Sequence, residues 1–170
     1  DDCVPCTPGY YCAGSNLPYP TGPCMAGFYC TEGSSTPTML ESPRGHYTLA
    51  GASKPMPCMP GTYNSEAKMA FCPQCPEGSY CNATATVMYT DCPMGHYCPL
   101  GSAIPERCPA GTYGPMTHRR NVTECQPCDP GHYCGSMGAP APSGLCSAGY
   151  YCTGSSVLAE PIDAQYGGIC

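Results

Sequence analysis

Nine times in 170 residues one phrase returns: a glycine, any residue, then tyrosine, usually with a cysteine three positions before the glycine. Cys6-Thr7-Pro8-Gly9-Tyr10-Tyr11-Cys12 is the first copy and Cys146-Ser147-Ala148-Gly149-Tyr150-Tyr151-Cys152 the last. The copies start at positions 6, 24, 42, 58, 75, 92, 108, 128 and 146, a step of 16 to 20 residues. A near-fixed period of this size predicts small units stacked in series rather than one globule. It predicts an elongated rod, in which a recurring residue is first a building element.

Composition says what must hold such units together. Leu, Ile, Val and Phe together number 15 and Trp is absent, too little hydrocarbon to offset chain entropy by burial. Twenty-two prolines and 21 glycines favour turns and short edge strands. Eighteen cysteines supply the alternative to an oily interior. The predicted fold class is therefore small, disulfide-rich and mostly irregular, with short β-ribbons and no conventional hydrophobic core. Disulfides persist in oxidising compartments, which places the chain outside the cell or on its surface. A net charge of −6 argues against a nucleic-acid partner. No apolar run approaches the length of a membrane span, so no direct membrane insertion is expected. Because the chain begins at Asp1, it reads as a processed product or part of something longer.

The cysteines define three kinds of unit. Cys6…Cys12, Cys75…Cys81 and Cys128…Cys134 have both flanking cysteines and follow a Cys-x-x-Cys. Cys24…Cys30, Cys92…Cys98 and Cys146…Cys152 have both but lack the preceding pair. Units opening at Cys58 and Cys108 keep only the leading cysteine, and the worn copy 42–48 has Ser42 and Thr48 in both cysteine positions. This order gives a first module at 1–57, partial at its start, a second at 58–107, a third at 108–169, and at Cys170 the start of a further unit. Six cysteines per module allow 15 connectivities, and spacing does not choose among them. Zinc is the competing use of Cys3/Cys6, Cys72/Cys75 and Cys125/Cys128, but further cysteines at regular spacing are not something a zinc module requires.

The order Cys58-Met-Pro-Gly-Thr-Tyr63, a loop, then Cys72-x-x-Cys75-x-x-Gly78-x-Tyr80 resembles the cysteine-rich repeats of tumour-necrosis-factor-receptor ectodomains. It is still more similar to the ephrin-receptor-like repeats of large surface proteins. The receptor pattern implies Cys58–Cys72, Cys75–Cys92 and Cys81–Cys98, then Cys108–Cys125, Cys128–Cys146 and Cys134–Cys152, with Cys6–Cys24 and Cys12–Cys30 in the first module. Nested pairings stay open. On this pattern Cys3 and Cys170 are left over, bonding between copies or to partners upstream and downstream. Loops of about 15 residues would each contribute on the order of 3 kcal/mol. The recurring tyrosines are expected to lie flat on a disulfide or proline with the hydroxyl in water.

Two N-glycosylation sequons occur, at Asn82 and Asn121. Ser34-Ser35-Thr36-Pro37-Thr38 and Ala139-Pro140-Ala141-Pro142-Ser143 have the composition of O-glycosylated stalks. His46, His96 and His132 share one slot of the phrase with Tyr, Phe, Thr and Ser, which favours a structural position over a metal ligand. No catalytic constellation can be assembled, and neither a cofactor nor a metal is expected. The reading that follows is a structural repeat protein, a glycosylated scaffold of a surface coat or fibril, self-associating or continuing head to tail. The rival is a receptor-type ectodomain gripping a protein ligand through inter-cysteine loops, with Met39-Leu40-Glu41 and His118-Arg119-Arg120 as its candidate contacts. A zinc-binding intracellular protein is a third class.

Overall fold

The computed structural model describes residues 5–170; Cys3 lies outside them. Every copy of the phrase opens on a tight turn. In the first, Tyr10 N–H donates to the Thr7 carbonyl at 3.1 Å across Pro8 and Gly9, and Gly9 has φ +89°. Proline second and glycine third is what a type II turn demands, because only glycine takes positive φ there without strain. All nine copies make the equivalent bond, at 3.0 to 3.2 Å.

The two residues after the glycine run as a strand. Tyr10–Tyr11 pairs antiparallel with Gly22–Pro23, the two residues preceding the next cysteine. Eight such two-stranded ribbons form among the described residues, and the copy opening at Cys58 makes only the bridge Thr62↔Gln74. Ribbons this short are not stable alone in water.

A backbone ladder joins each copy to the next. Gly9 N–H donates to the Cys30 carbonyl at 2.8 Å, and Cys24 N–H donates to the Gly9 carbonyl at 3.0 Å. Gly33 N–H then reaches the Cys6 carbonyl at 2.9 Å, and Cys12 N–H the Ser34 carbonyl at 2.9 Å. The worn copy keeps the pattern: Ser42 N–H donates to Gly27, Gly27 N–H to Thr48, and Lys68 N–H to Ser42. Lys68, Ala85, His118 and Ser155 occupy the same second-turn slot as Gly33, and with Asn16 they are the five non-glycine residues of positive φ among those described. That slot is defined by geometry rather than by residue type, so the sequence does not advertise it. The chain divides into two compact units, one running to Gln74 and including Cys81–Met88, the other made of Cys75–Tyr80 and Tyr89–Cys170.

Sulfur fills the interior. The buried apolar residues are thirteen half-cystines and Ala139, while Ile162, Tyr19 and Met88 are 79 to 87 % exposed. The fold is thus disulfide-rich short ribbon, without a conventional hydrophobic core.

The pairing differs from that implied by the receptor resemblance. Cys58–Cys72 and Cys108–Cys125 are present. The crossed bonds Cys6–Cys24, Cys12–Cys30, Cys128–Cys146 and Cys134–Cys152 are not, and neither are Cys75–Cys92 and Cys81–Cys98. Instead Cys6 bonds Cys12, Cys24 bonds Cys30, Cys92 bonds Cys98, Cys128 bonds Cys134 and Cys146 bonds Cys152. Cys75 and Cys81 are disulfide-bonded too, making sixteen bonded cysteines among the described residues. The type II turn is the cause. It doubles the five intervening residues back, so leading and closing Cα atoms stand 5.8 to 6.2 Å apart, inside the range a disulfide spans. A loop of seven residues contributes about 2.4 kcal/mol by loop-closure entropy, rather less than the 15-residue loops expected.

Cyanogen bromide cleavage without reductant checks this. Fragment 138–170 is expected to come free of 117–137 on cutting at Met137, whereas the crossed bonds would hold the two together.

The tyrosines also differ in detail from expectation. A Cβ added at Gly22, Gly144 or Gly168 would meet the ring of Tyr11, Tyr133 or Tyr151 at 3.2 to 3.4 Å. These glycines are the cross-strand partners of those tyrosines, so the rings cover the opposite strand where it has no side chain of its own.

Candidate functional site

Positions where the sulfur pattern fails are the places where side chains do something individual. In the worn copy Ser42 and Thr48 are fully buried, and neither hydroxyl has a hydrogen-bond partner. An orphaned buried hydroxyl costs about 1–3 kcal/mol. Replacing both by cysteine is expected to close a further seven-residue loop and to raise stability by about 2 kcal/mol or more. Unchanged free-thiol number together with a higher denaturation midpoint would report it. In the copy opening at Cys58, Asn64 takes the closing slot. It is 1 % exposed, and its Nδ2 donates to the His46 carbonyl at 2.6 Å while Oδ1 accepts from Glu66 N–H at 3.2 Å.

The third gap is at Gly114, six residues after Cys108. A Cβ there would meet Arg119 Nη1 at 2.7 Å, because the Arg119 side chain fills the space. His118-Arg119-Arg120, a candidate contact of the receptor reading, has the composition of a solvated loop. The structure buries Arg119 to 5 % exposure. Its Nε donates to the Glu124 carbonyl at 2.7 Å and its Nη1 to the Met116 carbonyl at 2.6 Å. The signal for this was the missing closing cysteine at Gly114, which leaves a volume that some long side chain must occupy. An open cavity of about 410 Å³ lies beside it, lined by Met116 to Arg120, Glu124 and Gln126.

The other candidates are dispersed. Asn82 and Asn121 are exposed. Asn121 Oδ1 accepts from Thr123 N–H at 3.0 Å and caps the 3₁₀ turn Val122–Glu124, leaving its amide nitrogen to solvent. Ser34 is buried and donates to the Thr31 carbonyl at 2.7 Å, so it is withdrawn from any O-linked sugar, whereas Ser35, Thr36, Thr38 and Ser143 are exposed. Met39-Leu40-Glu41 is exposed, with Glu41 paired to Lys68 at 2.9 Å. His46, His96 and His132 each donate from Nδ1 to the carbonyl two residues back, at 3.1, 3.0 and 3.4 Å, a bond to their own turn. Both members of the Cys72/Cys75 and Cys125/Cys128 pairs are spent on disulfides. Among the described residues no three His, Cys, Asp or Glu side chains are grouped to hold a metal, and no helix is long and apolar enough to cross a membrane. Cys170 is an exposed free thiol, and its N–H donates to the Gly149 carbonyl at 2.9 Å as Cys24 does to Gly9. It therefore sits in a leading-cysteine slot.

Two phenols are perturbed. Tyr113 Oη donates to Asp129 at 3.0 Å, and the Tyr97 hydroxyl bonds Glu106; each carboxylate holds its phenol above the ordinary value. A raised folded-state value means that stability from these bonds is complete below pH 10 and is lost as pH rises beyond it. The two phenolates are expected to appear last in an ultraviolet titration, and Tyr113→Phe should remove one late step. Exposure keeps the effect on stability small.

No protein-family model matches the chain, and no curated protein matches it.

Proposed function

We propose that the chain is an extracellular structural element, a disulfide-stapled scaffold of a surface coat or fibril built from cysteine-rich repeats of the ephrin-receptor-like or tumour-necrosis-factor-receptor-like kind. The observation that carries the reading is that one geometric unit, turn, ribbon and local disulfide, recurs along the chain and bonds to the next through the same backbone atoms. A protein built so has mechanical continuity in place of a central site. Disulfide chemistry supports an oxidising, extracellular setting. Asn82 and Asn121 then carry N-linked glycans, with O-linked sugars on exposed residues such as Thr36 and Thr38, adding bulk to a chain with few charges. Cys170, free and in a leading slot, bonds onward and continues the array, to a further copy or a further repeat. The proposed role is non-enzymatic.

Mass measurement of protein secreted by a eukaryotic host, with and without reductant and glycosidase, tests the reading. Sixteen cysteines bonded within the chain, glycan mass removed by the glycosidase, and covalent multimers joined through Cys170 and resolved by reduction are expected. Protein retained in the cytosol with reduced thiols would sink it. One observation favours the receptor reading instead, the cavity beside Arg119, which lies in one of the two loops that reading names.

A further inference from the structure

The loop between Cys108 and Cys125 carries chemistry that a purely mechanical role does not use. Arg119 is held flat by the two carbonyls it donates to, with its plane fixed by the Nε and Nη1 bonds. Its Nη2 group has no partner among the described residues, although the side chain lines the cavity. Among the described residues no carboxylate lies within 4 Å of the guanidinium of Arg119 or of Arg120, and the ion pairs are Lys68–Glu41 and His118–Asp91. This guanidinium has no direct ion pair, and with Nε and Nη1 spent on carbonyls its Nη2 is left to donate to an oxygen in the cavity, the chemistry by which arginine recognises oxyanions.

We propose that this cavity binds a single oxyanion, a carboxylate or a sulfate, carried on a small polar ligand such as an acidic sugar. Arg119 is the anchor, buried and pre-oriented. Arg120, next in the chain and exposed on the rim, supplies a second positive charge. Thr117 and Gln126 add hydrogen-bonding groups to the wall. The volume of about 410 Å³ is at the small end of ligand sites, room for a ring rather than a chain. Glu124 sets the upper limit on charge. Its Oε2 accepts from Arg120 N–H at 2.9 Å, which fixes a carboxylate at the mouth and repels a polyanion. This inference stands apart from the scaffold reading: a mechanical scaffold needs no ligand, and a site here would exist whether or not the array continues.

The test titrates the full, oxidised chain with sodium sulfate and, in a second arm, with glucuronate, against chloride at matched ionic strength. The Arg119 Nε–H resonance is followed by nuclear magnetic resonance. A saturating shift with either anion is expected, and the arm that saturates at lower concentration identifies the ester or the carboxylate as the source. Arg120→Gln should weaken it about fivefold without disturbing the fold, since its side chain is exposed. Glu124→Gln should tighten it several-fold, because the contact Arg119 makes is to the Glu124 backbone. Shifts that stay linear and equal to those of chloride, or that ignore both substitutions, would overturn the site.

Discussion

On reduction of its disulfides the chain unfolds completely; that is the largest effect expected of any treatment. The closed loops follow one another along the sequence without overlapping, spans of seven, 15 and 18 residues counted from the bonded positions. Their loop-closure contributions therefore act independently and together reach on the order of 20 kcal/mol, more than the whole stability of an ordinary domain. Little else competes with them. The buried apolar set is cysteine and one alanine, and two-residue ribbons have no stability of their own. Amide hydrogen exchange at Gly9, Gly27, Gly78 and Gly111, whose N–H groups carry the ladder, should fall to the rate of a free chain in reductant. Persistent protection of those amides would mean that the ladder, rather than sulfur, holds the fold.

Substituting Gly95 by alanine should be among the most damaging of single changes outside the cysteines. Two effects coincide there. Gly95 has φ +77°, which strains any L residue by about 1–2 kcal/mol. A Cβ would also run into the Gly138 carbonyl and approach Ala139 C at 3.2 Å, backbone atoms that cannot yield without breaking the Gly138 N–H to Cys108 bond. Gly131 separates the two effects, since it has φ +81° but nothing within 4 Å of the added carbon. Gly131→Ala should therefore cost about 1–2 kcal/mol, and Gly95→Ala at least twice that. In exchange terms the Gly95 variant loses on the order of a hundredfold protection at Cys98 and Cys108, and the Gly131 variant about tenfold at Cys146. Equal losses would show that close approach between alternate copies contributes nothing.

The contrast between these two glycines shows how far reading the residues carries. Both occupy the same place in the phrase, and the need for glycine at each follows from the type II turn alone. That one is packed against a carbonyl and the other is open follows from the chain returning two copies later. The cysteines behave likewise. Their number and spacing require a cross-linked architecture with short ribbons. The bonding order inferred by resemblance was crossed, whereas the tight turn brings Cys128 to Cys134 and Cys146 to Cys152 first. Arg119 is the clearest case of what local reading misses. A basic triplet in a loop reads as solvated, and only the vacancy left at Gly114 explains why its middle member is buried.

Sequence by itself determined the period, the turn chemistry, the absence of an oily interior and the dependence on sulfur, because each rests on residue types acting within about seven positions of one another. Tertiary structure decided which thiols meet, which left-handed slots accept Lys68 or His118, and where an arginine replaces a missing half-cystine. Those outcomes depend on distances between copies, and a distance between copies is set by the folded path of the backbone rather than by any spacing along it.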